Sequence, residues 1–459
     1  MGQAFLSARS SGPPPGRPSR SGPARPGTAV VVGLGVTGRA VTRLLGEEGW
    51  RVVVIEDNPD ADVVDTVHGL GATLGTLADV ASADLLVPSP GVGPGHPVHA
   101  AAAEAGVRVV SEIELASRAA AATGKVLVAV TGTNGKTTVT TLVASMLVGS
   151  GRPAVAAGNI GLPLVEAVAG DVDVVVAEVS SFQLQYVDSF RPAVAVWLNL
   201  AEDHLDWHPS MEHYARAKSR IWANQGSDDV AVANAEDQAV AQAAVSAPGR
   251  VVTFGIDRGD YRVVGGTLCT PEGQAIVETA ELARALPHDV ANALAATAAA
   301  RAAGAELSAC RRALAAFRGL PHRLELVGEA GGVRYYDDSK ATTPSSVLAA
   351  LRGFESVVLI AGGRNKGLDL DVLAGEADRL RAVVAIGEAA PEVEAALGGF
   401  VEVKTATSMA AAVDAAREAA RPGDVVILSP GCASFDWYSS YAERGDDFTR
   451  AVRRLAVAG

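Results

Sequence analysis

The residues best suited to chemistry form one run, Thr131-Gly132-Thr133-Asn134-Gly135-Lys136-Thr137-Thr138, between a strand-like stretch (126–130) and a helix-like one (139–147). Successive backbone N–H groups in such a loop surround phosphate oxygens, Lys136 brings a point charge to the outer phosphates, and Thr137 can put its hydroxyl on Mg²⁺. The position six before Lys136 is Val130, where the standard phosphate loop has Gly, so a shorter loop is expected. Two further strand ends carry polar groups: Glu178 closes 174–177, and Asn199 with Glu202, Asp203 and His204 closes 193–198. Carboxylate and imidazole at the carboxyl edge of an α/β sheet could hold the magnesium ions of an ATP site. The set Asp203, His204, Asp206 and His208 could instead suggest zinc, but it lacks the Glu of a zinc-hydrolase helix, and a solvated loop is the plainer alternative. Lys218, in the helix-like stretch 214–222, reads locally as an exposed surface lysine.

A second phosphate-type turn opens the chain's structured part. Val30-Val31-Val32 runs into Gly33-Leu34-Gly35-Val36-Thr37-Gly38, with Glu56-Asp57 at the end of the next strand, where a ribose-binding carboxylate would sit. The turn fits a nucleotide diphosphate, a nicotinamide included; tight strand–helix packing alone would also call for those glycines. Near the other end three loops follow apolar strands: 337–344, 362–366 and 429–436. Lys340, Arg364 and Lys366 could clamp an acidic co-substrate or phosphate, or be solvated surface cations. Cys432 has no His or Asn placed to activate it and reads as a small buried thiol.

Holding these loops requires strands that alternate with helices, hence parallel α/β sheets. Such alternation occurs three times: strands at 29–32, 52–55 and 85–88, then at 126–130, 174–177, 193–198 and 230–233, then at 357–360, 382–386 and 425–428, with a helix at 409–420. With 459 residues the chain has room for three domains. Its 52 acidic against 39 basic residues, net -13, disfavour a nucleic-acid or anionic-membrane surface. No apolar run approaches the roughly 18 residues of a membrane span. Three scattered cysteines support neither a disulfide framework nor a Cys-type zinc site and suit a reducing cytoplasm. Residues 1–27, rich in Gly, Pro, Ser and Arg, read as a disordered tail.

With the phosphate loop, Gly158-Asn159-Ile160-Gly161, Glu178-Val179-Ser180-Ser181-Phe182-Gln183 and Asn199-Leu200-Ala201-Glu202-Asp203-His204, the chain resembles the Mur ligase family of ATP-dependent peptidoglycan-precursor ligases. Leu320-Pro321-His322-Arg323, Asp338-Ser339-Lys340-Ala341-Thr342 and Ser429-Pro430-Gly431-Cys432-Ala433-Ser434-Phe435-Asp436 resemble its D-glutamate-adding branch, rather than the alanine-, diamino-acid- or folate-adding relatives. The resemblance runs from about Ala29 to the C-terminus. It implies an α/β chain of a Rossmann-like UDP-binding domain (28–117), a central P-loop ATPase (118–321) and a Rossmann-like amino-acid domain (322–459). The implied reaction joins D-glutamate to UDP-N-acetylmuramoyl-L-alanine through an acyl phosphate, using ATP and two Mg²⁺, in a cytoplasmic monomer with no nucleic-acid partner.

By the same resemblance Lys136, Glu178, His204 and Lys218 are catalytic, and Thr137, Glu178, His204 and a carbamylated Lys218 hold metal. ATP would meet 132–138 with Asn292, Arg323, Asp338 and Lys340. The UDP substrate would meet Val36, Thr37, Glu56 or Asp57, Ser89, Gly91, Asn159, Ser180, Gln183 and His204. D-Glutamate would meet Thr342, Lys366, Ser434, Phe435 and Tyr441. Asp289 and Thr343 stand where relatives often carry Asn.

Overall fold

The computed structural model describes residues 26–205 and 207–458; the expected tail up to residue 25, and Asp206 of the zinc alternative, lie outside the described residues. Val-rich runs make fully buried strands, and three larger sheets and one small one result. The first has the order Thr73–Leu74, Arg51–Ile55, Thr28–Val32, Leu85–Pro88, Arg108–Val109, all parallel. Order reverses beside Thr28–Val32, so the Gly33 turn and Ser89 face one crevice. Gly38 is obligatory there, because a Cβ would lie 1.9 Å from the Gly33 carbonyl oxygen.

The central sheet has the order Arg250–Phe254, Val230–Asn234, Val194–Trp197, Val126–Thr131, Val174–Glu178, Ala154–Gly158, again parallel. Its middle strand feeds the phosphate loop, with Asn199 after one neighbour and Glu178 ending the other. An antiparallel three-stranded sheet, Arg262–Val264, Thr267–Cys269 and Ala275–Glu278, is appended at its edge. The third sheet has the order Glu325–Ala330, Val333–Asp337, Val425–Gly431, Val357–Gly362, Leu380–Ile386, Val403–Ala406, with only Glu325–Ala330 antiparallel.

Burial separates these units unequally. One continuous apolar core runs from Ala29 and Leu45 through the helices Glu112–Thr123 and Leu164–Ala169 to Trp197 and Trp222. The third sheet has its own cores on either face, around Leu359 and Val383 and around Val358 and Val384. The first two sheets are therefore welded by apolar packing, while the third meets the central one mainly through polar loops. No helix among the described residues is long and apolar enough to cross a membrane.

Candidate active site

Val130 is wholly buried within the strand Val126–Thr131, so the phosphate loop is the short Gly132–Gly135 segment that its missing glycine predicts. Gly135 sits at φ +87°, and a Cβ there would come within 2.4 Å of Asn292 Oδ1, so the loop can close on the helix Pro287–Ala302 only with glycine. Helix Lys136–Val148 starts immediately after it. Its first N–H groups have no acceptor within the helix, which makes its N-terminus an anion site. Asn199 props the loop: its Oδ1 accepts from Thr133 N at 3.0 Å and Asn134 N at 2.8 Å, and its Nδ2 donates to Asn134 O at 3.1 Å.

Lys136 Nζ donates to the carbonyls of Gly132 (3.0 Å) and Thr133 (2.9 Å). Burial pushes its pKa down, and Glu178 and Asp203 pull it back. Thr137 Oγ1 donates to Glu178 Oε2 at 2.7 Å and accepts from Arg323 at 2.7 Å, while Asn159 Nδ2 donates to Glu178 Oε1 at 3.0 Å. His204 sits at φ +57° with Nε2 3.3 Å from Asp203 Oδ2, and burial lowers its pKa. Asp338 is buried, accepts from Ser429 Oγ at 2.8 Å, and desolvation raises its pKa to about 7.

Lys218 corrects the local reading of a surface lysine. It is 1% exposed, and its Nζ donates to Gly132 O at 2.8 Å and lies 4.6 Å from the Tyr214 ring centroid. The helix Met211–Ser219 turns it under the phosphate loop. Burial first, then the neighbouring Lys136, hold its pKa well below the ordinary lysine value.

These groups line a cleft of about 280 Å³ between the central and third sheets. Its walls carry Thr133 to Thr138, Glu178, His204, Asn292, Arg323, Asp338 and Lys340, together with Thr342 and Lys366. Gly132 and Lys218 lie beneath the floor. Ser434 is buried outside the lining, Phe435 is 63% exposed, and Tyr441 stands outside the lining with its ring centroid 3.9 Å from Lys340 Nζ. Arg364 pairs with Glu388 at 2.9 Å on the surface, away from the cleft.

A second cavity of about 590 Å³ is lined by Val36, Thr37, Glu56, Asp57, Ser89, Gly91, Asn159 and Gln183. Leu34 N donates to Glu56 Oε2 at 2.6 Å, and Asp57 Oδ1 lies 3.0 Å from His96 Nε2, so the two acids have separate partners. Sequence reasoning missed His96, which follows the Gly- and Pro-rich run 90–95 with no motif to mark it; its pairing with Asp57 arises only from tertiary folding. Ser180 does not line this cavity: it caps the short helix Ser181–Gln185 reciprocally with Gln183. His204 faces the first cleft, and Asn159 faces both. The zinc alternative does not assemble among the described residues, since His208 turns to Ser181 Oγ (2.9 Å) and His213 Nδ1 (3.0 Å).

Known proteins match the chain along nearly its full length. Residues 27–111 match the Mur ligase MurD-like N-terminal domain, 130–300 the Mur ligase middle domain, and 322–432 the Mur ligase glutamate ligase domain. The UDP-N-acetylmuramoylalanine-D-glutamate ligase of Desulfosudis oleivorans is 46% identical over 444 residues, 93% of this chain and 96% of that protein. The chain belongs to the Mur ligase family. Its relative of the same name in Frankia casuarinae is 44% identical over 92% of this chain and 93% of its own. The MurF ligase of Thermotoga maritima in complex with ADP shares the fold of this Mur ligase at TM-score 0.62 and 16% identity, covering 89% of this chain and 95% of that one. The pseudomurein peptide ligase type C of Methanothermus fervidus does so at TM-score 0.61 and 18% identity, over 93% and 99%.

Proposed function

We propose that this Mur ligase joins D-glutamate to UDP-N-acetylmuramoyl-L-alanine, with ATP converted to ADP and phosphate, as a step of peptidoglycan precursor synthesis. The observation that carries the reading is the shared wall at Asn159, which lines both cavities while binding Glu178. A substrate with a nucleotide at one end and a carboxylate at the other would reach from the Gly33 turn into the phosphate-loop cleft past that residue. The units 28–117, 118–321 and 322–459 then divide the work of UDP, ATP and amino-acid binding.

A carboxylate is a poor electrophile, so it must first be activated. Its oxygen attacks the γ-phosphorus of ATP, the bond to ADP breaks, and an acyl phosphate forms; the amine of D-glutamate then attacks the carbonyl carbon and phosphate leaves. Lys136 and Arg323 stabilise negative charge on the transferring group. Thr342 and Lys366 receive the amino acid, with Ser434 and Phe435 on the neighbouring loop and Tyr441 opening the helix that follows it. Closure of the third sheet over the cleft would exclude water, which hydrolyses an acyl phosphate.

The hydroxyl of Thr137 and the carboxylates of Glu178 and Asp203 are hard oxygen donors suited to Mg²⁺, with His204 beside them. Bound Mg²⁺ neutralises phosphate charge during transfer. Lys218 fits that set only as a carbamate, because an amine that donates to Gly132 O offers no oxygen. Its burial favours the neutral amine, the form that adds CO₂, and the carbamate nitrogen retains one N–H for Gly132 O. Substrate labelled with oxygen-18 in the alanyl carboxylate tests the route: one labelled oxygen should appear in the released phosphate, and unlabelled phosphate would refute the acyl phosphate.

A further inference from the structure

Asp289 stands where the resemblance leads one to expect Asn; with Arg284 it lines the edge of the phosphate-loop cleft, and both its carboxylate oxygens are engaged. Arg284, in the loop leading into the helix Pro287–Ala302, donates from Nε to Asp289 Oδ2 at 2.6 Å and from one terminal nitrogen to Oδ1 at 2.7 Å. Its other terminal nitrogen donates to two successive carbonyls, Arg323 at 2.9 Å and Leu324 at 2.5 Å. A bidentate carboxylate fixes the guanidinium plane, so the remaining N–H groups are aimed rather than free to wander.

The carbonyls it holds belong to the segment that links the central and third sheets. His322 and Leu324 there adopt φ of +59° and +47°, a region that residues with a Cβ rarely occupy. Such backbone persists only where its surroundings fix it. Leu324 N is also held, by Asp338 Oδ1 at 3.1 Å. With its C-terminal side held by these restraints, the Arg323 side chain is directed onto Thr137 Oγ1. The same loop anchors Leu286 in the third sheet's core, against Gly353, where a Cβ would lie 2.7 Å from it.

We propose that Arg284 and Asp289 are a positioning pair that sets the interdomain linker and thereby aims Arg323 into the phosphate site, without touching any reacting group. Asp289 serves by orienting Arg284. The inference rests on the ligase reading, through the role given there to Arg323.

The test is steady-state kinetics on the full chain for Arg284→Ala, Arg284→Lys, Asp289→Asn and Arg323→Lys, singly and combined, with melting temperatures recorded for each. Arg284→Ala and Asp289→Asn should each lower kcat about tenfold, with KM for the UDP substrate unchanged, and Arg284→Lys should not restore it. In the Arg323→Lys background, Arg284→Ala should cost little more, because both act through one group. Additive losses in that background would overturn the proposal, as would an Asp289→Asn chain that keeps kcat and loses only ATP affinity. Should Arg284→Ala fail to fold, Arg284→Lys and Asp289→Asn carry the same comparison. A wild-type chain without D-glutamate-dependent turnover would instead remove the ligase reading, a result distinct from either.

Discussion

Lys136 and Lys218 share one acceptor, the carbonyl oxygen of Gly132, at 3.0 and 2.8 Å. Two ammonium groups on one buried oxygen repel, and burial already disfavours each, so the pKa of Lys218 is held well below the ordinary lysine value. A carbamate there would turn the repulsion into an attraction. Carbon-13 bicarbonate should therefore label Lys218 in a signal that Lys218→Ala lacks. A lowered pKa means that the reactive neutral amine gains as pH rises through it, so the label and the activity should fall together on acidification. Lys218→Ala should cost about a hundredfold or more in turnover. Lys136→Ala should cost about a thousandfold with the melting temperature near wild type, as phosphate release and calorimetry would report. Residue types and spacing sufficed for Lys136, which stands inside its motif. Nothing local marked Lys218, because its burial comes from a helix packing under a loop 86 positions earlier.

At the scale of elements, the strand after which each functional loop falls was readable, since Val-rich buried runs have few other uses. The strand Ala154–Gly158 was not, being rich in alanine, and neither was the appended sheet Arg262–Glu278, whose strands are short and partly exposed. Asn199 was legible as a polar strand end, yet its role as the prop of the phosphate loop depends on contacts with residues 133 and 134. Asn199→Ala should leave those N–H groups without that acceptor, at about 1–3 kcal/mol, and raise KM for ATP; melting and kinetics check both. The helix Glu112–Thr123 makes a different prediction. Glu112 accepts from Val165 N at 2.8 Å across the weld between the first two sheets, and desolvation raises its pKa from 4.5 to about 7. A raised carboxyl pKa favours the folded chain while the group is protonated, so this contribution is complete below pH 4.5 and is lost as pH rises to about 7. At about 1.4 kcal/mol per pH unit the upper limit is roughly 3 kcal/mol. The fall in melting temperature across that window should flatten in Glu112→Gln; an unchanged slope would exclude Glu112 as its source.

The whole molecule carries a formal charge of -13, yet Lys136, Arg323, Lys340 and Lys366 converge on one cleft. Anionic substrates are thus held by a local arrangement that composition alone does not disclose. That arrangement exists only where the central and third sheets meet, and Ser346 Oγ on the third-sheet side donates to Asn134 Oδ1 of the phosphate loop at 2.8 Å. Motifs more than 200 positions apart were legible singly; their convergence was a matter of tertiary structure. D-Glutamate addition is tested by phosphate release from ATP and Mg²⁺ with UDP-N-acetylmuramoyl-L-alanine, comparing D-glutamate with L-glutamate and other amino acids and weighing the product. Release that requires D-glutamate, with a product heavier by one glutamyl unit, is the predicted result; release driven equally well by another amino acid, or none with any, would contradict it.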